Sequence, residues 1–547
     1  MVHPIAQVSF WVDGNTLEDC KPPEGFHVKK SLDGKASRHN SQLFMDLPLY
    51  SGRSITVGRD HHLNDVSINH PYVSRKHFVI YSVVYDPDDN SQPPLIYIRD
   101  CQSLEGTYID ETCIGNKAKG PSPGFYLSRD VVISIKPHWK FRVSLLDRSD
   151  FKSPLTAIQL KESSLFGNRY VISNRVLGSG SFASVHLAVD VKTGKQLACK
   201  IHDLDYLSRF AHPQDLIQRI LDETDILGKL RHPNLPIFEY AFRSRHTLYT
   251  FTELATGGDL FSMRLVRGAF TEQDAKLVIL QIVNAIKYLH TGGIVHRDLK
   301  PENVLFSTGP HATGRVIVSD LGFAKSKASG RMLSQVGTKQ YMAPEVEYGQ
   351  TYGLAVDIWS LGMITVFLLA PDHLVTPGNL VKRNQAAISG WLDSLFEDQS
   401  HQKISHNCQE FIRSCLTFEP AHRIEAPQAK NHVWFRKHPD KGCFKFRMNE
   451  NTKTWKPVHI ISPPIQQLPD LEVASNPSQS GKNDNSPRPS TAPANLGKRK
   501  FESIIPTTSS YQESPYFEEI NSSASKRPRT SEMRGVDVAG SSPTLSS

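Results

Sequence analysis

The thirteen residues from Ile294 to Phe306, IVHRDLKPENVLF, constrain this chain more tightly than any other stretch of its 547 residues. A carboxylate, an ammonium and a carboxamide follow one another closely between turn-forming residues. Asp298 is placed to accept a hydroxyl proton, Lys300 to steady a γ-phosphate and Asn303 to ligate magnesium. Downstream, VSDLGFAK offers Asp320 as a second metal carboxylate. These groups are useful only if the fold also supplies a cradle for phosphates, so the chain upstream has to provide one.

It does so in VLGSGSFASV, Val176 to Val185. A strand pattern precedes this segment and another follows it. A dinucleotide-binding glycine motif would open a helix instead, whereas strand, glycine loop and strand suit a flap over ATP phosphates. Gly178 and Gly180 let the backbone approach closely, and Ala183 stands where a third glycine is usual. LACK then places Lys200 on the next strand, within reach of phosphates, and DETDIL offers Glu223 as its carboxylate partner.

In this order and spacing, residues 170–435 resemble the eukaryotic protein kinase family. GTKQYMAPE, DIWSLG and PAHRI complete the series, with Glu345 expected to pair with Arg423 and Asp357 to support the catalytic loop. Lys300 and the GTxxY element resemble Ser/Thr rather than Tyr kinases. The resemblance implies a two-lobed α+β domain, ATP and Mg2+ as cofactors, and catalysis by Asp298 and Lys300. The implied ATP-binding set is Leu177, Gly178, Gly180, Ala183, Val185, Lys200, Glu223, Glu253, Ala255 and Asp259, with Thr252 as gatekeeper. Asn303 and Asp320 are the implied metal ligands. Asp259 and Glu302 match acidic positions that favour arginine upstream of the phosphoacceptor. Leu321 replaces the usual phenylalanine after Asp320 and is expected only to fill an apolar slot, while Gly322 gives the turn its freedom.

The N-terminal part reads as all-β. SITVG, HFVIYSVVY, LIYIRD, GTYID and VVISI alternate with Asp, Asn, Pro and Gly clusters, a spacing that suggests a sandwich. Gly58-Arg59, Ser74 to His77 and Gly106-Thr107 fall between strands, where recognition residues gather. Arg59 and Arg75 can meet a phosphate with charge-assisted bonds, and Ser74 can donate its hydroxyl. Residues 30–147 resemble the forkhead-associated (FHA) domain, which implies binding of phosphothreonine proteins, with His77 bracing the loop. Glu105 departs from the family's asparagine before Gly-Thr and puts a carboxylate near a dianion.

Residues 148–169 read as a linker and 458–547 as a disordered Ser/Pro-rich tail, because few large apolar residues are present to offset chain entropy. Seven cysteines without CxxC spacing fit a reducing compartment. VDIWSLGMITVFLLA is too short and too interrupted to span a bilayer, the N-terminus lacks a secretory pattern, and no membrane association is expected. The mild charge of +8 is placed in part in two tail clusters, GKRK and SKRPR. They read as nuclear import signals or as solvated charge, and sequence-specific nucleic-acid binding is not expected. The nucleus is the expected location, with a cytoplasmic pool also allowed.

Ser-Gln pairs occur at Ser41, Ser91, Ser334 and Ser478. Ser334 and Thr338 lie between Asp320 and Glu345, where phosphate can pair with Arg297 and order the site. One FHA domain before such a kinase resembles the checkpoint kinase 2 group, which includes Cds-type and meiosis-specific Mek-type kinases. That implies signalling in DNA damage, replication or meiosis, and self-association for phosphorylation in trans. The competing reading is an FHA scaffold with an inactive kinase domain.

Overall fold

The computed structural model describes residues 3–12, 26–28, 35–39, 42–84, 94–120, 122–146, 155–180, 182–210, 212–309, 314–321, 325–326, 340–371, 384–398, 403–436, 441–453, 455 and 464–471. Ser334, Thr338, Gly322 and both basic clusters of the tail lie outside the described residues.

The N-terminal strands build two facing sheets. One runs in the spatial order Thr112–Gly115, Thr107–Ile109, Val131–Ile135, Trp139–Leu145, Ala6–Val12, Gln42–Leu49, Lys35–His39. The other runs Phe125–Tyr126, Leu95–Asp100, Phe78–Val83, Ser54–Gly58, Val66–Ile68, Phe26–Val28. Val8, Phe10, Val57, Phe78, Ile133 and Phe141 fill the space between them. The expected sandwich is present, but its boundary at residue 30 is wrong. Ala6–Val12 pairs on one side with Trp139–Leu145 and on the other with Gln42–Leu49, so it is an interior strand.

Phe78–Val83 is buried at every position rather than at every second one. A near-continuous apolar strand calls for cover on both faces. Phe78 and Ile80 face the sandwich core, while Val79, Tyr81 and Val83 pack with Tyr97 and Tyr126 against Leu177, Leu187 and Leu254 of the following domain.

That domain has two lobes. Its sheet runs Tyr170–Ser179, Ser184–Asp190, Lys195–Asp203, Thr247–Glu253, Phe238–Arg243 and Ile465–Gln467, flanked by helix Pro213–Lys229. The helical lobe surrounds Glu272–Thr291 and Ala355–Leu369. The first of these starts where the sequence predicts, with Thr271 Oγ1 accepting from Asp274 N at 3.2 Å. The second is buried all round from Val356 to Leu369, which accounts for its unbroken apolar character. Among the described residues, no helix is long and apolar enough to cross a membrane.

Two further boundaries need correction. Within the expected linker, Ala157–Ser163 is a helix with a capping box at Thr156. Its buried Glu162 accepts a hydrogen bond from Tyr249 at 2.7 Å, which ties it to the sheet lobe. Within the expected tail, residues 464–471 are described, and Ile465–Gln467 adds a strand to the edge of the sheet.

The sandwich touches both lobes. Tyr126 and Gln196 exchange hydrogen bonds of 2.7 and 3.2 Å on the sheet lobe. Tyr81 donates to Thr256 Oγ1 at 3.1 Å and accepts from Gly309 N at 3.3 Å, on the segments leading into the helical lobe.

Candidate active site and anion-binding loops

Lys200 sits on the strand Lys195–Asp203 and Glu223 on the helix packed over it. Lys200 Nζ lies 3.0 Å from Glu223 Oε1 and 3.2 Å from Asp320 Oδ1. These three residues, far apart in sequence, therefore meet. Burial works against a charged Lys200, but Asp320 and Glu223 more than reverse it and hold its pKa above the usual lysine value. The same ammonium draws the Asp320 carboxyl down to about 2 against burial. His202, two residues along the strand, is held neutral down to about 3, by burial and then by Lys200.

Asp298 is buried and lies 2.8 Å from Lys300 Nζ. Asn303 Nδ2 donates to Asp298 O at 2.7 Å and to Asp298 Oδ2 at 3.2 Å, which turns Asn303 Oδ1 the other way. The loop is held in an unusual backbone conformation. Arg297 has a φ of 74° and Asp320 a φ of 62°, both in the left-handed region. Asp357 holds the first of these in place. Its oxygens accept from His296 N and Arg297 N at 2.9 Å each, and it lies 2.8 Å from His290 Nε2. Burial would raise the Asp357 carboxyl, but these partners keep it below the ordinary range.

Leu321 fills the slot expected of it, buried in the main apolar cluster. Glu345 meets Arg423 at 2.8 and 3.1 Å, both buried. A cleft beside Asp298 is lined by Arg297, Tyr341, Met342 and Tyr352, and Arg297 donates to the Tyr352 hydroxyl. At Gly178, a Cβ would meet nothing within 4 Å. Glycine is not demanded there by the chain's own packing, which leaves room for a phosphate-bearing ligand.

Some expected ligand contacts are already engaged. The Glu253 side chain accepts from Ile237 N at 2.9 Å and from Arg315, so only its backbone is available to adenine. Asp259 caps the helix Leu260–Arg267, with Ser262 N at 2.8 Å and Ser262 Oγ at 2.9 Å on its two oxygens. A ribose or a substrate arginine would have to share them. Leu177 and Leu254 border the sandwich contact, and Val185 and Ala198 pack beside them. Nothing local to these residues signals the contact, because the tyrosines concerned lie more than fifty residues upstream in another domain.

In the sandwich, Arg59, Ser74 and Arg75 come together. Arg59 N donates to Ser74 O at 2.8 Å, and the Arg59 side chain is exposed. Arg75, expected as a second phosphate contact, holds Asp60 at 2.8 and 3.2 Å in an exposed pair, so a phosphate would have to share its guanidinium. Ser74 Oγ accepts from Leu104 N at 2.9 Å. His77 braces the loops as expected, with Nδ1 accepting from Ser74 N at 3.1 Å and Nε2 donating to Gly106 O at 3.1 Å. Burial keeps this imidazole neutral by lowering its pKa. Asn64, missed in the sequence, joins two loops by donating to Asp60 O and Arg75 O at 2.6 Å each. At Gly58 a Cβ would lie 2.4 Å from Arg75 O, so only glycine fits between them.

Comparison with known proteins identifies both domains. Residues 171–435 match the protein kinase domain and residues 55–121 the FHA domain. The meiosis-specific serine/threonine-protein kinase mek1 of Schizosaccharomyces pombe is 32% identical over 401 residues, 71% of this chain and 82% of that protein. The probable serine/threonine-protein kinase fhkC of Dictyostelium discoideum is 31% identical over 394 residues, covering 62% of its own length. The crystal structure of Rad53 1-466 in complex with AMP-PNP aligns at 25% identity over 70% of this chain and 91% of that one, with a TM-score of 0.38.

The chain belongs to the FHA-containing serine/threonine protein kinases. It is thus an enzyme that binds ATP and acts on protein substrates, joined to a phosphopeptide-binding module.

Proposed function

We propose that this kinase is active and is recruited through its FHA domain in checkpoint signalling during DNA damage, replication or meiotic recombination. The observation that carries the catalytic half is the junction of Lys200 with Glu223 and Asp320 at 3.0 and 3.2 Å. A scaffold that had abandoned catalysis would have no use for an ammonium held between two carboxylates.

In this reading Lys200, steadied by Glu223, orients the nucleotide phosphates. Asp298 accepts the proton of the substrate Ser or Thr hydroxyl as its oxygen attacks, and Lys300 balances charge at the transferring group. Asn303 Oδ1 and Asp320 form the oxygen donor set for magnesium. Among the described residues no cluster of three or more His, Cys, Asp or Glu could hold a metal alone. Magnesium ordinarily leans on one or two protein ligands together with substrate phosphates, so this sparse set fits it. Bound magnesium neutralises charge on those phosphates.

Arg59 and Ser74 are the proposed phosphothreonine contacts, while Arg75 is already paired. FHA capture would localise the enzyme or bring two copies together, favouring phosphorylation in trans at Ser334 or Thr338. Asp259 and Glu302 support a preference for upstream arginine. The resemblance to a meiosis-specific relative supports a nuclear, meiotic setting.

The test compares wild type and Asp298→Ala for transfer of γ-phosphate to an arginine-containing serine peptide, with and without a phosphothreonine peptide. Transfer lost in the variant, and peptide capture lost in Arg59→Ala but retained in Arg75→Ala, is the expected pattern. A wild-type protein that binds the phosphothreonine peptide but transfers nothing after Ser334 and Thr338 are phosphorylated would establish the scaffold instead.

A further inference from the structure

The chain leaves the helical lobe after Lys441–Lys453 and reappears on the opposite lobe at residues 464–471. There Ile465, Gln466 and Gln467 run parallel to Ala241, Phe242 and Arg243, and Leu468 N donates to Arg243 O at 2.7 Å. Tyr240 donates to Gln466 Oε1 at 2.8 Å. The side chains alternate as a strand requires. Ile465 turns inward against the cluster of Leu204, Leu207, Ile220 and Leu248, and Leu468 is buried with Phe166 and Phe242.

The segment also presses on the helix that carries Glu223. A Cβ at Gly228 would lie 2.5 Å from Pro464 Cβ, so the helix and the segment fit only because residue 228 has no side chain. Ile465 packs on the apolar cluster to which Ile220 of the same helix belongs, and Leu216, Ile217 and Leu221 of that helix pack on it too. In its first half the helix has no side-chain cap from His212 and is held by the apolar cluster around Leu204, Leu207 and Leu248. Glu223 lies between these contacts, and its distance to Lys200 depends on where the helix sits.

We propose that Pro464–Leu468 is a positioning segment for phosphoryl transfer, wedged between helix Pro213–Lys229 and strand Phe238–Arg243 so that Glu223 stays on Lys200. The proposal rests on the kinase reading above. Ile465 and Pro464 touch no reacting atom and act through the helix. Part of what reads in the sequence as a disordered tail is thus a component of the enzyme, and whatever removes it from the sheet edge should release the Glu223–Lys200 contact.

The experiment uses full-length Ile465→Asp, Ile465→Val and Gly228→Ala, with wild type as reference. Ile465→Asp should lower kcat by up to about 100-fold while leaving KM for the peptide substrate unchanged, because an ångström-scale misplacement is that costly. Ile465→Val should keep wild-type turnover. Gly228→Ala distinguishes the proposal from simple helix stability. Alanine is the better helix former, so kcat should rise or hold if Pro464 is irrelevant, and fall if the wedge matters.

Hydrogen exchange along residues 213–229 gives a second readout, with protection expected to drop in Ile465→Asp and Gly228→Ala. Unchanged kcat and unchanged protection in those two variants would overturn the proposal. If Ile465→Asp fails to fold, Gly228→Ala decides by the same criteria. An inactive wild type with normal exchange differences would refute the kinase reading while leaving the positioning role intact.

Discussion

Changing Asp357 to Asn tests how the catalytic loop is held. Asp357 accepts two backbone bonds at 2.9 Å, from His296 N and Arg297 N, beside the 2.8 Å contact with His290. Hydrogen bonds to a charged group contribute about 1.5–3 kcal/mol each, so the two backbone bonds are worth about 3–6 kcal/mol. Asparagine keeps the shape but has one acceptor oxygen and no charge. One bond survives as a neutral bond of about 1 kcal/mol, and the other N–H then faces an amide nitrogen. The loss is therefore about 2–5 kcal/mol. Holding Arg297 at a φ of 74° costs about 1–3 kcal/mol, so the remaining restraint no longer clearly exceeds the strain.

The backbone at Arg297 should relax and carry Asp298 with it. Turnover should then fall by about 100-fold with little change in KM for ATP, because Lys200 and the glycine loop are untouched. Steady-state kinetics measure both quantities, and urea unfolding of the same samples measures the loss of stability. A variant that loses stability by the stated amount yet keeps kcat within about threefold would refute the idea that these bonds position Asp298. No loss of either would show that the bonds carry little energy.

Two further outcomes follow from buried groups elsewhere. His202 has its pKa held down to about 3 from an ordinary 6.5, so between those values only the unfolded chain takes its proton. Its stability contribution is complete above pH 6.5 and falls as pH drops towards 3, by at most about 1.4 kcal/mol per pH unit. His202→Gln should flatten the fall in unfolding free energy between pH 7 and 5 by about 2 kcal/mol, and an identical fall in both proteins would exclude His202 as a cause. Tyr81→Phe removes the hydroxyl shared by Thr256 and Gly309 and should lower stability in urea by about 1–3 kcal/mol. A value near zero would mean that the sandwich is not braced on the lobes through that residue.

What could be read from the residues alone was chemistry that depends on residue type and order. Several strand-like runs of both domains, the capped helix started by Thr271 and the unbroken apolar helix after Ala355 were legible in the residues, whereas Ala6–Val12 and Ile465–Gln467 were not. The family membership followed from Asp298, Lys300, Asn303 and Asp320 in sequence, because those types at those spacings have few other uses. The run Phe78–Val83 read as one more strand of the sandwich, and nothing local said that its second face would be covered or by which surface.

Partners were the part that remained hidden. Nothing local shows that Arg75, read as a phosphate contact, also holds Asp60, fifteen residues away. Asp259 looked available until its helix cap was visible, and residues 464–468 looked like disordered tail until the sheet edge received them. A short polar segment with one isoleucine carries too little apolar surface to specify a strand by itself. It becomes one only where an open edge and a glycine on the neighbouring helix leave room. Local pattern determines what a segment can become, because propensity and period act over a few residues. Which charge is free, and which strand is added last, depends on side chains brought together from distant parts of the chain, and only the tertiary structure decides that.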